Sequence, residues 1–99
     1  MKYQLRRDLE RAIKLYNKLH GVEAQASIIS ISGEKITVEF KGTFCHTCGV
    51  RDWVEDLAYL LISMGYDAKL VEIIEPESIE AEYKRIGVFI IKPSSRVNR

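Results

Sequence analysis

The segment KITVEFKGTFCHTCG, residues 35–49, decides the fold because its pattern changes halfway along. In the first half every second residue is apolar, which predicts a strand that is buried on one face. The apolar members are Ile36, Val38 and Phe40. The second half holds two cysteines spaced C-x-x-C between Gly42 and Gly49. An amphipathic pattern begins directly afterwards, so the cysteine segment is predicted to connect a strand to a helix.

The residues before this segment predict the other strand of a β-hairpin. Apolar and polar side chains alternate over residues 24–28, and the alternation changes phase at Ile29. Such a phase shift indicates a β-bulge or burial of both faces. Residues 32–34, Ser-Gly-Glu, form a short glycine-containing turn signal between the two strands.

Two amphipathic helices are predicted, over residues 4–19 and 50–64, because apolar side chains recur there at spacings of three and four. Gly21 and Gly65 follow them, and glycine after the last periodic residue is a common helix stop. Trp53 lies on the apolar face of the second helix and is predicted to be a core residue.

Residues 68–75 and 86–92 are predicted to be strands. Between them, Ile79, Ala81 and Tyr83 alternate as in a strand, whereas Ile79, Tyr83 and Ile86 also fit a helix with Glu80 four residues before Lys84. Of the two, an extended strand or hairpin arm over residues 76–85 is the favoured prediction. The order is therefore α-β-β-α-β-β. It predicts an α+β fold, a two-layer sandwich in which two helices pack on one face of a small mixed sheet. Residues 1–93 are predicted to form a single domain and residues 94–99 a polar tail.

The composition is that of an ordinary globular domain. The 99 residues are 46% hydrophobic and 29% charged, with a net charge of +1, which excludes extended disorder. The sequence has no apolar run of the roughly 20 residues that a membrane span needs, and its charged start does not resemble a signal peptide. We therefore expect a cytoplasmic protein with no membrane partner. Abundant Glu, Lys and Ile with scarce Asn and Gln suggest a thermophile.

Cys45 and Cys48 are the candidate site. Three readings of their spacing stay open: a metal or cluster site, a dithiol redox pair, and a structural pair, reduced or joined as a disulfide that would need no cofactor. Zinc or a [4Fe–4S] cluster takes about four ligands, and neither His46 nor His20 is an obvious third. Two loops meeting on the axis of a homodimer would supply four thiolates.

The stretch ISGEKITVEFKGTFCHTC, residues 31–48, resembles the C-terminal domain of NifU and the Nfu scaffold proteins. That domain likewise has a leading helix, a hairpin with a glycine turn, a G-x-C-x-x-C loop, an amphipathic helix and a strand. The resemblance covers about residues 5–75. It implies that Cys45 and Cys48 bridge a [4Fe–4S] cluster between two protomers, with zinc as the second candidate, and that the cluster passes to apo-protein clients.

A second resemblance is to thioredoxin-like folds of the selenoprotein W type. These folds share the succession of a strand, a C-x-x-C segment, a helix and further strands. The resemblance implies a small thiol–disulfide oxidoreductase, which is the alternative to the scaffold or carrier function.

A basic stripe on the first helix is the remaining candidate site. Its members, at helical spacing, are Arg7, Arg11, Lys14 and Lys18. The stripe could contact nucleic acid phosphates. However, the near-neutral net charge favours a solvated surface, so nucleic acid is not the expected partner. No phosphate loop, Ser/His/Asp triad or paired-carboxylate motif occurs, and we therefore expect a carrier rather than an enzyme.

Overall fold

The structure is a computed structural model that describes residues 2–46 and 49–93, without the side chains of 2–4 and 45–46. The helices are α1 (Lys2–His20) and α2 (Val50–Ser63). The strands are β1 (Gln25–Ser32), β2 (Lys35–Lys41), β3 (Tyr66–Ile74) and β4 (Lys84–Pro93). Short 3-10 turns occupy Gly21–Glu23, Thr43–His46 and Ile79–Glu82. The predicted tail, residues 94–99, lies outside the described residues, so the division of the chain into 1–93 and 94–99 stays a prediction.

The α+β class is confirmed, with two helices and one four-stranded sheet. In α1 the buried side chains recur at helical spacing, namely Leu9, Ala12, Ile13 and Tyr16, and this stripe faces the core. Helix α2 packs against β3, and α1 packs against both β1 and α2. Neither helix has the length and apolar character that crossing a membrane requires.

The prediction of a mixed sheet was wrong, because every strand pairing in the described residues is antiparallel. The spatial order is β1-β2-β4-β3. Helix α2 carries the chain from β2 across to β3, a crossover that could have made these two strands a parallel pair. Instead β4 turns back from β3 and inserts between them, and its pairings with both neighbours are antiparallel.

The hairpin and its bulge are confirmed. The β1–β2 register shifts between Ile28 and Ser30, so that two residues of β1 oppose Thr37. A second bulge, which the sequence did not signal, shifts the β3–β4 register between Leu70 and Glu72, opposite Val88. Thr37 and Val88 are themselves paired, so the two bulges lie at the same level on opposite edges of the sheet.

One face of the sheet and the two helices enclose the core. Ile36, Val38 and Phe40 of β2 are fully buried, as predicted, and Phe89 of β4 is buried beside them. The rings of Phe40 and Phe89 lie 6.3 Å apart, and Tyr16 of α1 meets Phe40 edge-on at 5.4 Å. Helix and sheet are thus joined through aromatic contacts as well as aliphatic burial.

Residues 76–85 do not form the predicted strand. A loop follows β3 and contains the 3-10 turn Ile79–Glu82, and β4 begins at Lys84. The Ser78 side chain accepts a hydrogen bond from the Glu80 backbone N–H at 3.2 Å, a local bond that competes with strand pairing. Glu80 also pairs with Lys84 at 3.4 Å. The alternation of apolar and polar residues over 79–83 therefore belongs to a turn and not to a strand. Ile79 and Tyr83, two of its apolar residues, are exposed.

Candidate functional site

The cysteine loop, residues 42–49, leaves the sheet at the end of β2 and enters α2. Cys45 belongs to the 3-10 turn Thr43–His46, whereas its side chain and the whole of Cys48 lie outside the described residues. The predicted position between a strand and a helix is confirmed for the backbone on both sides of the motif. The structure shows how the rest of the chain holds the two ends of this loop.

Gly42 holds the first end. Its φ is +148°, and a Cβ built on it would lie 2.2 Å from the Glu23 carbonyl oxygen. Its N–H also donates to the Tyr83 carbonyl at 2.9 Å. The loop therefore starts between two other segments of the chain, and only glycine allows backbone to come so close.

Phe44, the residue before Cys45, is the second fixed point. It is fully buried, and its ring lies 6.0 Å from the ring of Trp53 in the first turn of α2. An aromatic side chain enclosed in this way restricts the backbone that carries it. Cys45 therefore directly follows a residue whose side chain is fixed in the core.

Gly49 holds the last end, where α2 begins. It adopts the left-handed conformation with φ +80°, and its carbonyl accepts from Asp52 N–H at 2.9 Å and Trp53 N–H at 3.4 Å. Gly49, the residue before this helix, has no side chain with which to cap it. The N-terminus of a helix carries a partial positive charge that favours a thiolate nearby, although Asp52 in the first turn offsets part of it.

A cluster beside this helix end was not predicted from the sequence. His20 Nε2 lies 3.0 Å from an Asp56 carboxylate oxygen, and the His20 ring lies 4.2 Å from Tyr16 and 5.1 Å from Trp53. The Tyr16 hydroxyl donates to the Trp53 carbonyl at 2.7 Å, and burial raises the pKa of Tyr16. His20, in the last turn of α1, therefore connects that helix to α2.

Exposed apolar side chains flank the cysteine loop. Two 3-10 turns contact its own turn, Gly21–Glu23 on one side and Ile79–Glu82 on the other. Val22 and Ile79 are 87% and 78% exposed, and Tyr83 is also exposed. The two turns that contact the cysteine loop thus each carry an exposed apolar side chain.

The described residues do not complete a metal site in one chain. Among them, no group of three or more His, Cys, Asp or Glu side chains could hold a metal ion. The His20 nitrogen nearest α2 is already paired with Asp56. The side chains of Cys45, His46 and Cys48 lie outside the described residues, so a metal or cluster site at the cysteine loop stays a prediction.

The basic stripe is solvent-exposed along its whole length, with Arg7, Arg11, Lys14 and Lys18 all on the outer side of α1. Arg11 pairs with Asp8 at 3.4 Å. Together with Leu15, three of the four line only a shallow groove. The stripe has the properties of a solvated helix face, and a role in nucleic acid contact stays untested.

The cysteine loop is fixed at Gly42, Phe44 and Gly49, and the two turns that contact it carry the exposed Val22 and Ile79. This makes it the candidate functional site. Comparison with protein-family models, curated proteins and solved structures finds no match to this chain.

Proposed function

We propose that the protein is a carrier for an iron–sulfur cluster, held by Cys45 and Cys48 of two copies and released to apo-protein clients. The observation that carries this proposal is the anchoring of the cysteine loop at both ends. Gly42 lies directly against the Glu23 carbonyl and donates a hydrogen bond to the Tyr83 carbonyl, and Gly49 directly precedes α2. A binding loop fixed on rigid elements positions its ligands more precisely than a free loop does.

The ligand count requires the second copy. A [4Fe–4S] cluster takes about four cysteine thiolates, and the chain contains two cysteines. Two loops related by a two-fold axis supply the remaining thiolates without any further ligand. Such a shared cargo is also easy to release, because separating the copies removes half of its ligands.

The surroundings of the loop support the carrier function. The exposed Val22 and Ile79 offer apolar area on both sides of the motif, where a second copy or a client can pack. The resemblance of residues 31–48 to Nfu scaffold domains points in the same direction. Zinc, which binds four thiolates tetrahedrally, is the second candidate cargo.

Anaerobic reconstitution with iron and sulfide tests the proposal. The wild-type chain is expected to develop the visible charge-transfer absorbance of a cluster and to retain about four irons per pair of chains. The Cys45→Ser/Cys48→Ser variant is expected to retain none. His46→Ala is the matched control, since it alters the same loop but leaves both thiols, and it is expected to load normally.

Transfer to a client is measured by mixing the loaded protein with an apo-ferredoxin and following the client's spectrum. Equal, low iron content in wild type and in the double serine variant would contradict the proposal. So would a Cys45–Cys48 disulfide that persists in strong reductant. Reversible oxidation of the two thiols without any metal uptake would favour the oxidoreductase alternative.

A further inference from the structure

The connection between β3 and β4, residues 75–83, lies against the cysteine loop. Its 3-10 turn Ile79–Glu82 contacts the turn Thr43–His46, to which Cys45 belongs. The Tyr83 carbonyl accepts a hydrogen bond from the Gly42 N–H at 2.9 Å. Any contact that fixes this β3–β4 connection relative to β2 therefore also fixes the first end of the cysteine loop.

Lys84, the first residue of β4, joins the connection to β2. Its Nζ lies 3.3 Å from a Glu39 carboxylate oxygen on β2 and 3.4 Å from a Glu80 carboxylate oxygen in the turn. The Lys84 side chain is only 17% exposed and that of Glu39 22%, so salt screens this contact less than an ion pair on the open surface. The hydrogen bond to Glu39, aided by Glu80, outweighs the desolvation and raises the pKa of Lys84, so the ammonium group is charged at neutral pH.

These contacts close a ring through the backbone. The Glu80 carbonyl accepts from the Tyr83 N–H at 3.0 Å, and the Tyr83 carbonyl accepts from Gly42. Gly42 directly follows the last residue of β2 and lies three positions after Glu39, where the ring begins. The connection is thus joined to this part of the chain at two points, the ion pairs of Lys84 and the hydrogen bond of Gly42. If the first point is lost, the second must hold alone.

We propose that Lys84 is a positioning residue for the cysteine loop, which holds the β3–β4 connection against β2 and so keeps the loop in the arrangement that retains the cluster. The cargo in this inference rests on the proposed function. The link from Lys84 to Gly42 belongs to the folded chain and is present without any cargo.

A cation is required at this position because two carboxylates meet there. Without the ammonium group, Glu39 and Glu80 would approach each other as like charges, and their repulsion would drive the turn away from β2. Lys41 contributes less, since its Nζ lies 3.9 Å from Glu39 and its side chain is 54% exposed. The attachment of the turn therefore depends on Lys84.

Arg85 stabilises the connection itself. Its guanidinium donates to the Ala81 and Lys84 carbonyls and lies 3.7 Å from a Glu75 carboxylate oxygen. These three partners lie in the connection or directly beside it, so the contacts that shape the connection remain when the Lys84 side chain is changed. We therefore expect a variant of Lys84 to alter the attachment of the connection to β2 more than its internal structure.

Native-state hydrogen exchange on the chain without iron, in reductant and chelator, tests the link. Lys84→Met keeps an unbranched side chain but removes the charge. The Gly42 amide is expected to exchange about tenfold faster in Lys84→Met than in wild type, because its hydrogen bond opens locally. The amide of Val38, on the inner strand β2, exchanges through global unfolding and is expected to change much less.

Three further variants separate the charge from other effects of substitution. Lys84→Arg keeps the cation, and its Gly42 amide is expected to exchange as in wild type. Lys35→Met removes the same charge from the exposed far end of β2 and is the matched control, with no change expected. Glu80→Gln is expected to accelerate exchange at Gly42, and the double variant Lys84→Met/Glu80→Gln to exchange no faster than Lys84→Met, because both changes remove the same contact.

Iron loss from the loaded protein tests the consequence for the site. After reconstitution with iron and sulfide, transfer of iron to a coloured chelator is followed at equal protein concentrations. Lys84→Met is expected to lose iron about tenfold faster than wild type, because a loop held at fewer points positions its ligands less precisely. Lys84→Arg and Lys35→Met are expected to lose it at the wild-type rate.

The outcomes separate this inference from the proposed function. A wild-type chain that takes up no iron overturns the proposed function and, with it, the role of Lys84 in retaining the cluster. If wild type loads and Lys84→Met loses iron at the same rate, the inference is wrong and the proposed function stands.

Two results of the exchange experiment would also overturn the inference. Equal acceleration at Gly42 and Val38 would show that Lys84 acts only on overall stability. A Lys84→Arg chain that behaves like Lys84→Met would show that the cation does not hold the turn. If Lys84→Met does not fold, Glu80→Gln, whose side chain is 46% exposed in the native chain, provides the same comparison of Gly42 with Val38.

Discussion

At Gly42 two backbone segments meet so closely that a side chain has no room. The distance of 2.2 Å from an ideal Cβ to the Glu23 oxygen compares with no neighbour within 4 Å at Gly33, whose φ of +61° is also positive. The sequence identified Gly42 only as one of the two glycines that flank the cysteine motif. It did not reveal the neighbour, because Glu23 is nineteen residues away along the chain.

Gly42→Ala is therefore expected to lower the free energy of unfolding by more than about 3 kcal/mol, since both steric overlap and backbone strain oppose it. Gly33→Ala should lower the free energy of unfolding by only about 1 kcal/mol, because there only the left-handed backbone conformation opposes a side chain. Urea denaturation of both variants measures the difference. Equal losses in the two variants would show that the approach at Gly42 is not a packing constraint.

Tyr66 shows the same dependence on a distant residue. Its hydroxyl donates to an Asp8 carboxylate oxygen at 2.6 Å, joining the start of β3 to α1. Burial and this hydrogen bond to Asp8 raise the pKa of Tyr66 to about 12. The folded protein thus favours the protonated phenol relative to the unfolded chain, where tyrosine titrates near pH 10.

Tyr66→Phe is expected to lower the free energy of unfolding by about 1–2 kcal/mol at neutral pH, because it removes a hydrogen bond to a charged acceptor. Because the folded-state pKa is raised, this contribution is complete below about pH 10 and disappears as the pH rises towards 12. The difference in unfolding free energy between wild type and Tyr66→Phe should therefore shrink from about pH 9 to about pH 12. A difference that stays constant over this range would contradict the assignment.

Among the elements, α1 is tied to the edge of the sheet by one side chain. The Asn17 amide nitrogen donates to the Ala26 carbonyl at 3.1 Å, and its oxygen accepts from the Ala26 N–H at 2.6 Å. Asn17 thereby satisfies both backbone groups of one residue on edge strand β1, as a neighbouring strand would do. Helical periodicity identifies the apolar face of α1 but gives no sign of this contact.

Asn17→Ala is expected to lower the unfolding free energy by about 2 kcal/mol, because it removes two hydrogen bonds from half-buried groups. The neighbouring Lys18→Ala, at an exposed position, should change it by no more than about 0.5 kcal/mol. Thermal denaturation of both variants provides the measurement. Hydrogen exchange at the Ala26 amide should become faster in Asn17→Ala alone.

The strands themselves illustrate what local pattern can predict. Alternation located the hairpin and the bulge at Ile29, because each residue's face is fixed by its neighbours in sequence. The same reasoning failed for residues 79–83, where a turn stabilised by Ser78 produces a similar spacing. It also could not place β4 between β2 and β3, since that position depends on pairings between strands far apart in sequence.

At the scale of the whole molecule, only some features could be recognised beforehand. The C-x-x-C motif is visible in the sequence because its residues lie close together and are chemically distinctive. The strand order β1-β2-β4-β3 is not visible there, because it depends on pairings between strands that are far apart along the chain.

The sequence by itself determined the α+β class, the helices, the first hairpin and the position of the cysteines between a strand and a helix. These features follow from hydrophobic periodicity and turn residues, which act over a few neighbouring residues. The tertiary structure decided the antiparallel order β1-β2-β4-β3, the contact of Gly42 with Glu23 and the pairing of His20 with Asp56. Each of these depends on the packing of segments distant in sequence, and that packing leaves one sheet face covered by helices and the other open.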